Sequence, residues 1–259
     1  MGREWDGGPV ITARNLRKMY GPHLALDDIN LEIPPGAVGI LGPNGAGKTT
    51  FLNIVTGYLK PDSGVIRYRG RNITALEPRK IARLGIHRSF QIPQIFPKLS
   101  VFDNILIALG IAGSGRNNGW RPLLTGDSGD AADAILVRYR ISDYRDREAG
   151  LLPQGIRKLL DIAMAMVGSP NILLLDEPSS GVSADEKMLM MDTIMDVLGG
   201  SEVGVLFVEH DMEVVAHYAH RVVAFSDGKI VADGLPEEVL NDSEVRGLVI
   251  GNELRSELN

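Results

Sequence analysis

The sequence predicts an α/β fold with a mainly parallel β-sheet flanked by helices. One observation behind this prediction is a glycine-rich loop at residues 42–50, which lies between a short apolar run and a segment with helical periodicity. The other is the alternation of apolar, strand-like runs with helical patterns along most of the chain. Such alternation is typical of parallel sheets covered by helices.

The composition suits one large globular domain, or a main domain with a small appendage. The 259 residues are 44% hydrophobic and 23% charged, with a formal net charge of −6, which argues against a nonspecific nucleic-acid binder. The absence of cysteine excludes disulfides and thiolate chemistry. No apolar run approaches the roughly 20 residues of a spanning helix, and residues 1–6 lack the apolar core of a signal peptide. We therefore expect a soluble, cytosolic chain that reaches a membrane only through a partner.

Short segments that are apolar, or that alternate apolar and polar residues, predict strands in the N-terminal part of the chain. These segments are residues 10–13, 26–33, 37–41, 65–68 and 85–91. Pro34-Pro35-Gly36 predicts the turn into the third strand, and residues 60–64 have the turn chemistry expected before the fourth.

The middle of the chain has only helical patterns. Apolar residues at helical spacing predict helices at residues 101–111, 131–139 and 156–167, so residues 101–167 are predicted to form an inserted helical subdomain. Residues 113–130 are rich in Gly, Ser, Asn and Pro, which predicts a mobile loop. The alternation then resumes with a strand at 171–175, a helix at 185–198, a strand at 203–208, a helix at 212–220 and two closing strands.

The glycine-rich loop matches the phosphate-binding pattern G-x-x-x-x-G-K-[ST] in full. Its residues are Gly42, Pro43, Asn44, Gly45, Ala46, Gly47, Lys48, Thr49 and Thr50. Glycines let backbone N–H groups surround phosphate oxygens, and the following helix adds its positive N-terminal end. Lys48 is predicted to reach the outer phosphates, and the Thr49 hydroxyl to ligate Mg²⁺. The flanking strand and helix argue against a chance glycine-rich turn, so the sequence predicts a P-loop NTPase that binds a nucleoside triphosphate.

Two acids follow the predicted strand at 171–175. An acid at the carboxyl end of a buried parallel strand lies at the edge where ligands bind in open α/β sheets. Asp176 is therefore predicted to hold Mg²⁺, through water, and Glu177 to orient or deprotonate the attacking water. The alternative is that these acids simply end the strand before Pro178 and have no role in binding. The phosphate-binding loop upstream argues against this alternative.

Two other polar residues end predicted strands. His210 follows the strand at 203–208, where it could contact the γ-phosphate, and Gln91 ends the strand at 85–91, where it could sense Mg²⁺ or water. Taken alone, a strand-end His would more often be structural, and a strand-end Gln would be uninformative.

Together these residues resemble the nucleotide-binding subunit of an ATP-binding cassette (ABC) transporter, from about residue 10 to about residue 251. The motifs fall in that family's order: Tyr20, residues 42–50, Gln91, residues 152–156, residues 172–177, residues 179–183 and His210. The resemblance implies that Tyr20 stacks on adenine, a contact worth about 1–3 kcal/mol in analogous base–aromatic pairs. Packing on an edge strand is the alternative role for Tyr20.

The resemblance also implies how the chain is organised. Residues 1–259 would form a single nucleotide-binding domain whose core, residues 10–100 and 168–251, includes an antiparallel β subdomain. The helical insert, residues 101–167, would dock on membrane subunits, and Gln91 would couple the nucleotide to them.

Within the family, further segments resemble the importers of branched-chain amino acids, and urea and amide importers share the pattern. The segments are residues 88–91, Phe96, residues 99–101, residues 104–105, residues 208–212, residues 227–230, Gly234 and residues 236–239. The implied partners are two transmembrane permease subunits, a second ATPase subunit and, indirectly, a solute-binding protein, but no nucleic acid. The implied place is the cytoplasmic face of the plasma (inner) membrane.

One motif departs from the family's pattern. The family's Leu-Ser-Gly-Gly-Gln signature is replaced by Leu152, Pro153, Gln154, Gly155 and Ile156. In the family this segment donates to the γ-phosphate held by the other subunit of a dimer, and Pro153 has neither a hydroxyl nor an N–H to donate. Losing one such donor typically lowers the rate on the order of 10²–10³-fold.

The following loop departs less from the family. Its residues are Ser179, Ser180, Gly181, Val182 and Ser183, where many members have a closing Asp. Ser183 can still hydrogen-bond across an interface, although it carries no charge.

The sequence therefore predicts the ATP-hydrolysing subunit of an importer, with ATP and Mg²⁺ as cofactors and a different ATPase as its dimer partner. Two alternatives stay open: a soluble cassette ATPase outside transport, and a regulatory ATP-binding subunit with little turnover. Against the first, the chain has neither the long coiled coils of repair proteins nor the second cassette of translation factors. The presence of Glu177, the predicted base, argues against a regulatory subunit with little turnover, although the altered signature keeps that alternative open.

Overall fold

The computed structural model describes residues 8–114, 126–199 and 203–247. In these ranges the elements are, in chain order, β1 (Ile11–Tyr20), β2 (His23–Ile33), β3 (Ala37–Leu41), α1 (Lys48–Val55), β4 (Ser63–Tyr68), β5 (Arg71–Asn72), α2 (Pro78–Arg83), β6 (Ile86–Ser89), α3 (Val101–Ser114), α4 (Gly126–Arg138), α5 (Gln154–Met166), β7 (Ile172–Asp176), α6 (Ala184–Gly199), β8 (Gly204–Val208), α7 (Met212–Tyr218), β9 (Arg221–Ser226), β10 (Lys229–Gly234) and α8 (Pro236–Asn241). Short 3-10 turns lie at Ser142–Tyr144 and Ala149–Leu151.

The described residues divide into two compact units. The first comprises those up to residue 86 and those from residue 204, and the second those from 87 to 203. In the first unit an antiparallel sheet has the strand order β2-β1-β4-β5, and a mainly parallel arrangement has the order β10-β9-β3-β8. β3 is parallel to both β8 and β9, whereas β10 is antiparallel to β9. This confirms the predicted fold class, including the antiparallel β part.

The core of the first unit surrounds β3. All five residues of β3 are buried, as expected of a strand in a parallel sheet that is covered on both faces. A Cβ atom on Gly39 would lie 3.0 Å from Cγ1 of Val215, so the missing side chain lets α7 pack closely on the strand. Phe51 on α1 contacts Phe225 on β9, with ring centroids 5.8 Å apart.

The second unit is mainly helical around a buried strand. α5 packs against α3 and α6, and all five residues of β7 are buried. In the described residues between 101 and 167, only helices and turns occur apart from an isolated bridge between Ser100 and Glu148. The prediction of a helix-only stretch there is confirmed, whereas the boundaries of a separate subdomain stay a prediction.

β1 is longer than predicted, and the reason is its pairing. The prediction ended the strand at residue 13. In the structure β1 continues to Tyr20, paired with β2 on one side and β4 on the other. Arg17 and Lys18 are accommodated through ion pairs with Asp27 and Asp62, so tertiary contacts override the local polarity.

The predicted loop at residues 113–130 is wrong at both ends. α3 extends to Ser114 and α4 begins at Gly126, and the rest of this loop prediction, residues 115–125, lies outside the described residues. The prediction also missed β5, α2 and α8. Both missed helices begin with a proline, at Pro78 and Pro236, where the ring's fixed φ favours the first helical turn.

Candidate functional site

The first unit contains an open cavity of about 170 Å³ beside the phosphate-binding loop. Tyr20 and several residues of the loop line the same cavity. The lining residues are Tyr20, His23, Ala25, Gly45, Ala46, Gly47, Lys48, Thr49 and Thr50. An aromatic side chain beside a glycine-rich loop at a helix N-terminus is an arrangement that can hold a base and its phosphates.

The loop has the backbone that phosphate binding requires. Gly42 and Gly47 have φ values of +145° and +102°, a region that side-chain-bearing residues rarely adopt. A Cβ on Gly47 would lie 2.5 Å from the carbonyl oxygen of Ala25, and one on Gly42 would collide with the carbonyl oxygen of Phe225. The loop can therefore curl only because glycine stands at these positions.

Lys48 is the buried cation of this loop. The residue is 6% exposed, and its Nζ donates to the carbonyl oxygens of Gly42 and Pro43 at 2.5 and 2.9 Å. These bonds fix the ammonium group at the loop, where it can bind phosphate oxygens. Thr49, one residue further along α1, is exposed to the cavity.

Tyr20 ends β1 and faces His23 across the hairpin. The residue is 48% exposed, so its ring is open to a ligand and is not part of the core. Asp62 fixes this end of the strand, because its carboxylate accepts from the Met19 backbone N–H at 2.7 Å and from Lys18 Nζ at 2.8 Å. Sequence reasoning missed His23, whose only signal was its place just after the turn that follows Tyr20.

In the second unit, Asp176 lies at the end of β7 against an arginine that the sequence did not single out as a site residue. The Arg88 guanidinium donates to Oδ2 of Asp176 at 2.5 Å, and both side chains are almost fully buried. The available signal was an arginine inside the short predicted strand that became β6, since a cation buried in a sheet requires an acid.

Glu177 is held by Gln91, the residue predicted to end the strand at 85–91. Nε2 of Gln91 donates to Oε2 of Glu177 at 2.7 Å. The backbone of Glu177 has a φ of +49°, uncommon for a side-chain-bearing residue, and its carbonyl accepts from Lys158 Nζ at 2.6 Å. The segment 88–91 therefore contacts both acids, one through Arg88 and the other through Gln91.

A buried carboxylate ties this segment to α5. Asp161 accepts from Ser89 Oγ at 2.5 Å and from the Gln94 backbone N–H at 2.8 Å. Burial raises the pKa of the Asp161 carboxyl above its usual range, although the hydrogen bonds from Ser89, Gln94 and Phe90 act in the opposite direction. Asp161 thereby joins the helix that follows the signature segment to the residues that hold the acids.

The signature segment forms the start of α5. Pro153 is the N-cap residue and Gln154 the first residue of the helix. Gly155 faces Val182 and Met190, whose nearest atoms would be 3.5 and 3.9 Å from an added Cβ. The side chain of Gln154 lies against Gly181 and accepts from Arg157 at 3.0 Å, so the signature segment and the loop 179–183 contact each other within one chain.

The remaining predicted residues lie at helix starts. Ser183 precedes α6, and its Oγ donates to Glu186 Oε2 at 3.0 Å within the chain. His210, in the first unit, is exposed two residues after the end of β8. Asp211 caps α7 by accepting from the backbone of Glu213 and Val214, which fixes the backbone next to His210.

These features define an ATP-binding cassette: a phosphate-binding loop after a buried parallel strand, an aromatic residue at the end of an antiparallel sheet, and paired acids after another buried strand. The comparisons agree. The sequence matches the ABC transporter family over residues 26–180, so the chain belongs to this family. It is the ATP-binding subunit of an ABC transporter, an ATPase that couples hydrolysis to transport and works with membrane permease partners.

Particular relatives cover almost the whole chain. It is 32% identical over 251 residues to the high-affinity branched-chain amino acid transport ATP-binding protein LivG of Escherichia coli K12, which covers 94% of this chain and 98% of the relative. It has the same identity and coverage with BraF of Pseudomonas aeruginosa, a protein of the same description. Among solved structures it is similar to the ADP conformation of MJ1267, an ATP-binding cassette of an ABC transporter, with a TM-score of 0.82 and 29% identity over 94% of this chain and 99% of that one.

None of the helices in the described parts of the chain is long and apolar enough to cross a membrane. Hard oxygen donors of the kind that Mg²⁺ prefers are present in each unit: the Thr49 hydroxyl at the start of α1 and the Asp176 carboxylate at the end of β7.

Proposed function

We propose that the chain energises an importer of branched-chain amino acids or related small polar solutes. The observation that carries this proposal is the likeness to LivG and BraF over 98% of their lengths, together with the importer-like segments at 88–91 and 208–212. The chain would bind two transmembrane permease subunits at the cytoplasmic face of the membrane, and a solute-binding protein would deliver the cargo to them.

For the chemistry, we propose that the cavity by the phosphate-binding loop holds ATP. Tyr20 stacks on adenine, the loop backbone and Lys48 bind the phosphates, and Thr49 and Asp176 hold Mg²⁺, which neutralises charge on the transferring phosphoryl group. His210 contacts the γ-phosphate. The Tyr20 exposure and the fixed Lys48 ammonium support these assignments, because both groups are placed to meet a ligand without a change in the core.

Glu177 is proposed as the general base. Its carboxylate takes a proton from the attacking water as the terminal phosphoryl group leaves ADP. The hydrogen bond from Gln91 to Oε2 of Glu177 supports this role, since it orients the carboxylate. A movement of residues 88–91 would shift Gln91 and, through this bond, the Glu177 carboxylate. Gln91 would thus connect the nucleotide site to the permease subunits.

We also propose that the partner ATPase is a different chain and that the two ATP sites are unequal. Pro153 caps α5 without a hydroxyl or an N–H, so this chain supplies a weak signature to the partner's nucleotide. Gly155 and the N-terminus of α5 still offer backbone donors. The site that uses this chain's Lys48, Asp176 and Glu177 would be the stronger one.

Reconstitution tests the transport proposal. The chain is co-expressed with the permease and ATPase genes that neighbour its own, purified from membranes, and placed in proteoliposomes with the associated binding protein. Uptake of radiolabelled leucine that requires ATP and is abolished by Glu177→Gln supports the proposal. Uptake of urea or an amide without uptake of leucine would contradict the assigned substrate, and failure to co-purify with permeases would contradict the assembly.

A further inference from the structure

Arg88 is a fixed cation at the acid where Mg²⁺ is proposed to be held. Its Nη2 atom lies 2.5 Å from Oδ2 of Asp176, and the two side chains are only 4% and 5% exposed. The Arg88 guanidinium also faces the Phe90 ring, 4.8 Å from the ring centroid. Two contacts of different kinds, one charge-assisted and one cation–π, therefore hold the cation in place.

Burial decides what this cation does. An exposed arginine would turn into solvent when a metal ion approached, with little loss. A buried one stays, because moving it would break the ion pair in a region with little water. A positive charge that stays beside Asp176 repels any divalent ion that this carboxylate holds, directly or through water.

We propose that Arg88 is a positioning residue that holds the Asp176 carboxylate in place and, by its charge, weakens the binding of Mg²⁺ with ATP on the order of tenfold. The inference rests on the proposed nucleotide and Mg²⁺ site. Arg88 would then act as a permanent ion-pair partner for Asp176, whether or not a metal ion is bound.

The test measures metal binding without hydrolysis. Affinity for the non-hydrolysable analogue adenylyl-imidodiphosphate is measured by calorimetry in excess EDTA and in excess Mg²⁺, and the ratio of the two affinities is the metal enhancement. Arg88→Gln is expected to raise this enhancement about tenfold. Arg88→Lys keeps the charge, although not the planar contact with Phe90, and should change the enhancement less than Arg88→Gln does.

Arg145→Gln is the matched control. Arg145 also forms an ion pair, with Asp133, and also lies over a phenylalanine, Phe102, in the same unit. Removing it should leave the enhancement unchanged. An enhancement in Arg88→Gln that stays level or falls overturns the inference, and so does an Arg88→Lys variant that behaves like Arg88→Gln, because the charge would then not be the cause.

Arg88→Gln leaves the buried Asp176 carboxylate without its ion-pair partner, which can prevent the variant from folding. A second pair of variants removes this problem. Asp176→Asn is compared with the double variant Arg88→Gln/Asp176→Asn, in which both charges leave together. In Asp176→Asn the Arg88 guanidinium keeps its charge and its contact with the Phe90 ring, so removing it in the double variant should still raise the metal enhancement, and no difference between the two variants overturns the inference. Absence of analogue binding to the unmodified protein would instead refute the proposed function itself.

Discussion

Gln91 and Glu177, 86 positions apart in the sequence, share a hydrogen bond of 2.7 Å between the Gln91 amide nitrogen and the Glu177 carboxylate. The neighbouring Asp176 is held in turn by Arg88. One short segment, residues 88–91, therefore determines where both acids lie. We expect a displacement of that segment to move both carboxylates together, which would give the proposed coupling to the permease subunits a direct route to the nucleotide site.

The first prediction concerns Glu177. Glu177→Gln should lower ATP hydrolysis by about 10²–10⁴-fold, the usual contribution of a general base. ATP affinity should change little, because the amide keeps the shape of the side chain. Single-turnover hydrolysis together with nucleotide binding checks this. Glu237→Gln, at an exposed position on α8, is the control, and a hydrolysis rate that survives Glu177→Gln would remove Glu177 from the role of base.

The second prediction concerns Tyr20. Tyr20→Ala should weaken ATP binding by about 1–3 kcal/mol because it removes the stacking surface, whereas Tyr20→Phe should preserve binding. Calorimetric titration with ATP measures both. Tyr58→Ala, which removes another exposed tyrosine of the same unit, should have no effect. Equal affinities for Tyr20→Ala and the unmodified protein would leave Tyr20 with only a packing role on its strand.

The third prediction separates two glycines of the phosphate-binding loop. Both Gly45 and Gly47 have positive φ, but a Cβ on Gly45 meets nothing within 4 Å, whereas one on Gly47 would press on the Ala25 carbonyl and the Leu26 side chain. Gly45→Ala should cost about 1 kcal/mol in backbone strain, and Gly47→Ala about 2–4 kcal/mol in strain plus the clash. Urea unfolding measures the free energy of unfolding of both variants. Equal losses of stability would show that neighbouring atoms move to relieve the clash at residue 47.

The fourth prediction follows from the raised pKa of Asp161. Since its folded-state pKa lies above the unfolded value, the folded state binds the proton more tightly, and Asp161 favours folding most at a pH below the unfolded pKa. This contribution is lost as the pH rises through the folded pKa. The free energy of unfolding of the unmodified protein minus that of Asp161→Asn should therefore grow as the pH falls from neutral toward the unfolded pKa of about 3.9.

Urea titrations at several pH values check the Asp161 prediction. Ser89→Ala removes a hydrogen bond that lowers the Asp161 pKa, so the same rise should begin at a higher pH in that variant. A difference that does not vary with pH would show that Asp161 titrates alike in the folded and unfolded states.

The fifth prediction tests the unequal ATP sites. Pro153→Ser restores a hydroxyl at the start of α5 and should speed hydrolysis at the weak site. Because the stronger site already turns over, hydrolysis by the assembled transporter should rise by at most about twofold. The steady-state ATPase rate of the reconstituted complex measures this. Full activity in a purified homodimer of this chain, or no effect of Pro153→Ser, would argue against two unequal sites.

Several features could be predicted because they are local. The phosphate-binding loop needs only its own glycines and the strand and helix on either side, and β3 was predicted with the bounds that it has in the structure. Helices at 101–111 and 156–167 were recognised from periodicity, because each buries one face. Where the chain is stabilised by distant partners, as along β1 beyond Ala13, the predicted strand ended too early.

The site divides in the same way. Sequence by itself determined the family, the phosphate-binding loop and which strand ends carry Asp176, Glu177 and His210, because these depend on short patterns whose backbone conformation is nearly obligatory. Only the tertiary structure decided that Arg88 neutralises Asp176 and that Gln91 holds Glu177. A side chain's partner depends on which strands and loops become neighbours, and the fold alone brings together residues that lie 86 and 88 positions apart.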